Sequence, residues 1–151
     1  MFTRMLIAPF IAAALLAASP AWAQGCASPA EVTTLMVAEI QQRLMVAAYT
    51  CRDVAYYNRF VITHRSELRK SDKRMLHLFI SHDGSVGDDE YNAFKTRLAN
   101  LSSRESNDYP GTFCYRAQQL FTAVLYERRP LASLAASERP YSPLPFDSCG
   151  R

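Results

Sequence analysis

Apolar positions along this chain recur three or four residues apart, and no segment alternates convincingly with a period of two. Ser28-Pro29-Ala30-Glu31 opens the first helix. Ser28 suits the N-cap, Pro29 the first helical position, and Glu31 can reach back as a capping box. The helix runs to about Thr50, with Val32, Leu35, Met36, Ile40, Leu44, Ala47 and Cys51 on one face. Glu39, Gln42 and Arg43 face elsewhere. Cys51 then sits at a corner, and Asp53 caps a second helix with the stripe Val54, Tyr57, Phe60, Val61, His64 and Leu68. Arg65 to Arg74 is mostly charged. Ser71-Asp72 offers a fresh cap, so a break near Lys70 is expected, although no proline between Arg52 and Tyr109 forces one.

Met75, Leu76, Phe79 and Ile80 make the next apolar face. Asp83-Gly84-Ser85-Val86-Gly87-Asp88 reads as a loop, and Asp88 as the cap of a helix carrying Tyr91, Phe94, Leu98 and Leu101. Ser102 to Gly111 is polar and reads as a turn. A helix over about 112–128 follows, with Cys114, Ala117, Leu120, Phe121, Val124 and Leu125 on one side and Pro130 as its stop. Leu131–Ser137 suggests one more short helical piece. The rest of the tail, with Pro140, Pro143 and Pro145, should run extended along the surface. The pattern predicts an all-α fold: a small bundle of four to five helices with a Pro-rich tail, irregular from about residue 130.

The first 23 residues stand apart from this pattern. Arg4, an apolar run from Met5 to Ala18 and the triplet Ala21-Trp22-Ala23 together have the form of a bacterial-type signal peptide cleaved after Ala23. Removing 23 of 151 residues leaves 128, residues 24–151, one domain by length and long enough to build a core. Such a leader implies a periplasmic or secreted protein. The apolar run is too short for a comfortable membrane span, so no transmembrane segment is expected in the mature chain.

All four cysteines, Cys26, Cys51, Cys114 and Cys149, lie beyond the leader. An even number in an exported chain reads as two disulfides. Cys51 and Cys114 fall on the two strongest helical faces and Cys26 and Cys149 in the tails, which favours the pairs Cys51–Cys114 and Cys26–Cys149. The chain has no Cys-x-x-Cys, so redox, haem-attachment and zinc-ribbon motifs lack their spacing.

Without Arg4 the balance is 16 basic to 14 acidic residues, too even to point to nucleic acid. No nucleophile elbow, His-Glu-x-x-His helix or phosphate-cradling glycine loop is present, and no cofactor is called for. His64 beside Glu67 has the elements of a general base, but a histidine on an apolar stripe is more often a satisfied core residue. His82, Asp83, Asp88 and Glu90 surround the glycine loop with metal-ligating atoms, though without EF-hand spacing; a solvated turn is the plainer reading. The basic run Arg65, Arg69, Lys70, Lys73 and Arg74 suits an acidic partner, against the alternative of a helix face neutralised by pairs such as Glu67 with Lys70. Tyr56, Tyr57 and Arg59 beside Cys51, with Arg69 and Lys73, are the candidate recognition residues. The expected function is therefore an exported binding or interaction protein without evident catalysis, its partner a protein or envelope component. A cation-binding or hydrolytic role for the 82–90 loop and an envelope stress-protective or structural role are the alternatives.

Overall fold

Ser28 begins the first helix as its side chain dictates. The Glu31 amide donates to Ser28 Oγ at 3.4 Å, and the Ser28 amide donates to Glu31 Oε2 at 2.7 Å. The capping box thus satisfies two amides that a helix start otherwise leaves open. These bonds to Ser28, the backbone one foremost, hold the Glu31 carboxyl below the usual carboxylate range. In this computed structural model, which describes residues 26–140 and 142–149, helix α1 spans Pro29–Thr50. The leader expected at 1–23 lies outside the described residues.

Helix α1 is the axis of the bundle and packs against all five other α-helices among the described residues. It is consequently buried on more than the single face its sequence suggests. Met36, Ile40, Leu44 and Ala47 enter one apolar cluster, while Leu35 and Ala38 enter a second. Glu39 and Gln42, expected to face away from the core, are buried as well, because neighbouring helices cover that side too.

At the corner after α1, Arg52 takes φ +64°, a left-handed conformation, to turn the chain into helix α2 (Val54–Thr63). Asp53 occupies the N-cap position but makes no capping bond through its side chain, contrary to expectation. Its carboxylate is buried, and burial pushes its pKa up. Helix α2 buries only Phe60; Val54 is exposed and Tyr57 half-buried, so the expected stripe is narrower.

The break expected near Lys70 falls at His64, and helix α3 runs unbroken over Arg65–Asp83. The reason is the imidazole. His64 is buried; its Nε2 donates to the carbonyl of Val124 at 3.0 Å, and its Nδ1 lies 2.9 Å from Glu67 Oε1. Turning this ring inward fixes the bend where it occurs. Met75, Leu78 and Phe79 are the buried residues further along α3. Ile80, expected inside, is exposed, and Leu78 fills that role.

Gly84, at φ +59°, starts a single 3-10 turn over Gly84–Val86 in place of an open loop. Helix α4 then spans Gly87–Asp108. A Cβ on Gly87 would come within 2.6 Å of the Ile80 Cα, so glycine permits the close approach of α4 to α3. Asp88 is not the cap; Val86 holds that position, and Asp88, Asp89 and Glu90 occupy the first turn, where negative charge suits the helix dipole. Tyr91, Phe94 and Leu98 are buried as their spacing predicts. The helix nevertheless continues through Ser102–Asp108, which composition suggests is a turn. Ser102, Glu105 and Ser106 are buried there, so this polar stretch is held helical by tertiary contact.

Helix α5 covers Pro110–Leu125 and helix α6 Leu131–Ser137. Helices α2 and α5 run side by side, tied near their starts by Cys51–Cys114 and near their ends by His64 and Val124. The tail differs most from expectation. Leu144 and Phe146 pack on the core, and strand β2 (Asp147–Ser148) pairs in parallel with strand β1 (Cys26–Ala27). The Phe146 ring packs against that of Phe79 at a tilt of 54°, with centroids 5.2 Å apart. Both expected disulfides are present, Cys51–Cys114 and Cys26–Cys149. They close sequence separations of 63 and 123 residues. On the chain-entropy argument such closures stabilise by about 4 and about 5 kcal/mol respectively. Among the described residues, no helix is long and apolar enough to cross a membrane.

Candidate functional site

Helix α3 carries the most concentrated charge on the molecule, and the fold decides which of those charges stay uncompensated. Leu68 and Met75 anchor its inner side, which turns Arg65, Arg69, Lys70, Lys73 and Arg74 outward, all exposed. From residue 65 to residue 74 the five cations span about 14 Å of helix. Two carboxylates interrupt the run, and both are engaged elsewhere. Glu67 meets His64 through Oε1, and its Oε2 accepts the amide of Leu131 at 2.8 Å. Asp72 Oδ1 accepts the Tyr91 hydroxyl at 2.6 Å and the Lys95 ammonium at 3.0 Å. Among the described residues, none of the five cations forms an ion pair. The Glu67–Lys70 pairing that would have neutralised this face is absent because Glu67 is committed to α6.

Two hollows flank this ridge. One, of about 610 Å³, is open and lined by Ile62, Arg65, Arg69, Lys70 and Lys73; Ile62 is 75% exposed at its edge. The other, of about 570 Å³, lies between α1, α3 and α6 and includes Lys70 and Arg74.

The candidate recognition residues divide between two places. Arg69 and Lys73 belong to the α3 groove. Tyr56 and Arg59 stand on the outside of α2 against α5: the Tyr56 ring lies 5.8 Å from that of Phe121, and the Arg59 guanidinium lies over the Tyr126 ring at 5.6 Å. Tyr57 turns inward to the core, where burial pushes its phenol pKa up. The 82–90 candidates are not gathered. His82 lies against Phe146, with ring centroids 4.4 Å apart, and Asp88 and Glu90 sit in the first turn of α4. Among the described residues, no three His, Cys, Asp or Glu side chains come together as a metal site would require.

The structure does join His64 to Glu67, but not as a base facing a substrate. A carbonyl can only accept, so Nε2 carries a hydrogen, and Nδ1 faces a carboxylate. Both nitrogens are committed inside the bundle. Tyr91, Lys95 and Asp72 form a second polar cluster, between α3 and α4. Burial, reinforced by the hydrogen bond to Asp72, pushes the Tyr91 phenol up and keeps it a donor. Burial would pull the Lys95 ammonium down, but its bonds to Tyr91 and Asp72 outweigh this and leave its pKa raised. A protonated tyrosine and a protonated lysine clasping one aspartate describe a structural tie between helices, not an acid–base pair.

The hollow between α1, α3 and α6 is the feature that reading the chain alone misses. Its walls come from three segments about 35 to 60 residues apart, and only the basic run on α3 signals part of it. No family model, curated protein or solved structure matches this chain.

Proposed function

We propose that this is an exported binding protein that docks a linear polyanion, a polymer with repeated carboxylates or phosphates, along the outer face of α3. The observation that carries the reading is the diversion of Glu67 and Asp72: Arg65, Arg69, Lys70, Lys73 and Arg74 are left without a carboxylate of their own. Arg65, Arg69 and Lys73, spaced four residues apart, make a row of exposed cations along one side of α3, with Lys70 and Arg74 beside it, and such a row suits an extended polymer, whose charges also repeat along a line. Arginine adds bidentate recognition of carboxylate or phosphate. The leader-like segment 1–23 and the two disulfides support delivery to the periplasm or the exterior, where an oxidising compartment maintains such bonds.

The test is titration of the oxidised protein with labelled polyglutamate and polyphosphate at increasing salt. Binding should weaken steeply with salt and fall at least tenfold in the double variant Arg69→Gln/Lys73→Gln. Affinity that survives both treatments rejects the reading. Stronger binding to vesicles of anionic phospholipid than to either polymer would assign the face to a lipid surface and reject the polymer.

A further inference from the structure

The cavity between α1, α3 and α6 has a chemistry distinct from the open cationic groove. Most of its exposed surface is apolar, with Ala30 and Val37 from α1 and Leu131 and Ala132 from α6, although Thr33, Thr34, Ser71 and Ser133 also line it. Lys70 and Arg74, one turn apart on α3, line the same cavity. Its volume of about 570 Å³ lies within the range of small-molecule sites.

The cavity has two different ends. The side chain of Ser71 donates to the carbonyl of Thr34, and Gln41 shares a hollow with Arg65 and Leu68. Helices α1 and α3 therefore run antiparallel. Arg74 lies towards the start of α1, whereas Glu67, Leu131 and Val37 mark the opposite end. There the Glu67 carboxylate is bound to His64 and to the Leu131 amide, closing the cavity against α6. Arg74 at one end and Lys70 between it and the occupied Glu67, neither with a carboxylate partner, beside apolar walls from α1 and α6, describe a receptor for a molecule with an anionic head and an apolar tail.

We infer that this cavity binds a small amphipathic anion, with a carboxylate or phosphate head on Lys70 and Arg74 and an aliphatic tail along Val37, Leu131 and Ala132. The site goes beyond the polymer face, with which it shares Lys70 and Arg74. The head is held by charge-assisted hydrogen bonds, and the tail gains by leaving water. Both contributions are needed, so a tail without charge and a head without tail each bind poorly.

The probe is decanoate, titrated calorimetrically into the oxidised protein below its micellar concentration, with decyl phosphate, decanol and acetate in parallel. One molecule of decanoate or decyl phosphate should bind per chain, and the tighter of the two assigns the head. Decanol and acetate should bind at least tenfold more weakly. Arg74→Gln should weaken decanoate at least tenfold, and Ala132→Phe, a substitution at an exposed position that narrows the cavity, should abolish binding while leaving thermal unfolding cooperative. Arg69→Gln/Lys73→Gln should leave decanoate binding unchanged while weakening polymer binding at least tenfold, and Ala132→Phe should do the reverse. The two proposals therefore fail separately. Equal affinity for decanol and decanoate, no binding of either decyl anion, or binding indifferent to Ala132→Phe would overturn the inference.

Discussion

Two groups of charged side chains in this protein have opposite fates. Where α1, α4 and α5 converge, Arg43 lies 4.0 Å from Glu39 and 3.7 Å from Glu105, and Arg116 reaches Glu105 at 3.2 Å. Glu39 and Glu105 are buried there. On the outside of α3, five cations stand exposed, and the carboxylates next to them in sequence bond to other helices. Local composition would suggest the reverse. Glu39 and Arg43 look like a solvated pair one turn apart, and the mixed-sign run 65–74 looks self-neutralising. What distinguishes them is where the carboxylates point. A buried ion pair is energetically sensitive because removing one partner strands the other in a low dielectric. An exposed, unpaired cation costs the fold little and stays available to a partner.

The largest effect that would test this contrast is at the junction. Glu105→Gln should lower the free energy of unfolding by about 3 kcal/mol, because two arginines lose their common carboxylate. Chemical denaturation measures this, and a loss below 1 kcal/mol would mean that the junction is effectively solvated.

A smaller effect is expected at the clasp between α3 and α4. Tyr91→Phe removes the hydroxyl that bonds to both Asp72 and Lys95 and should cost about 1 kcal/mol. It also loosens the hold on Asp72, so polymer affinity should fall slightly as that carboxylate becomes free to neutralise its neighbours. Unchanged stability would remove the clasp from the account.

Asp53 offers a third situation, a buried carboxylate whose Oδ2 has no hydrogen-bond partner among the described residues. Its folded pKa is raised by burial, so ionisation is harder in the folded than in the unfolded chain. The resulting destabilisation is complete above the folded pKa and disappears as pH falls below the unfolded one. Asp53→Asn should therefore stabilise at neutral pH, by under about 1 kcal/mol, and the gain should vanish in the acid range. Denaturation midpoints of the two proteins across that range check the sign; a gain that persists at low pH would show that burial of charge is not the cause.

The smallest effect should come from the largest concentration of charge. Arg69→Gln/Lys73→Gln should leave unfolding within about 0.5 kcal/mol of the parent protein. A marked loss would mean that α3 uses these cations for its own stability.

The helices themselves were largely legible in the chain. Ser28, Pro29 and Glu31 fix the start of α1 through bonds within a single turn, and the stripe Tyr91, Phe94 and Leu98 fixes the inner side of α4. The errors fall where long-range contacts outweigh local preference. Ser102–Asp108 has the composition of a turn, yet Glu105 finds Arg43 and Arg116 and keeps the segment helical. His64 bends the chain earlier than the Ser71-Asp72 signal suggests because its acceptor, the Val124 carbonyl, lies 60 residues away. Of the candidate site, the α3 cations were visible as a run, but their lack of partners was not.

The sequence by itself determined the helical class and the register of the α1, α4 and α5 stripes and, through the placement of four cysteines on two helix faces and two tails, favoured the disulfide pairing found. These properties depend on spacing within one turn or on which segments have an apolar side to bury. Only the tertiary structure decided that the tail closes over Phe79, that Glu67 and Asp72 bond to other elements rather than to their cationic neighbours, and that α1, α3 and α6 line a common hollow. Each of those depends on atoms brought together from distant parts of the chain, and a polar side chain bonds to whichever partner the packed helices place within about 3 Å.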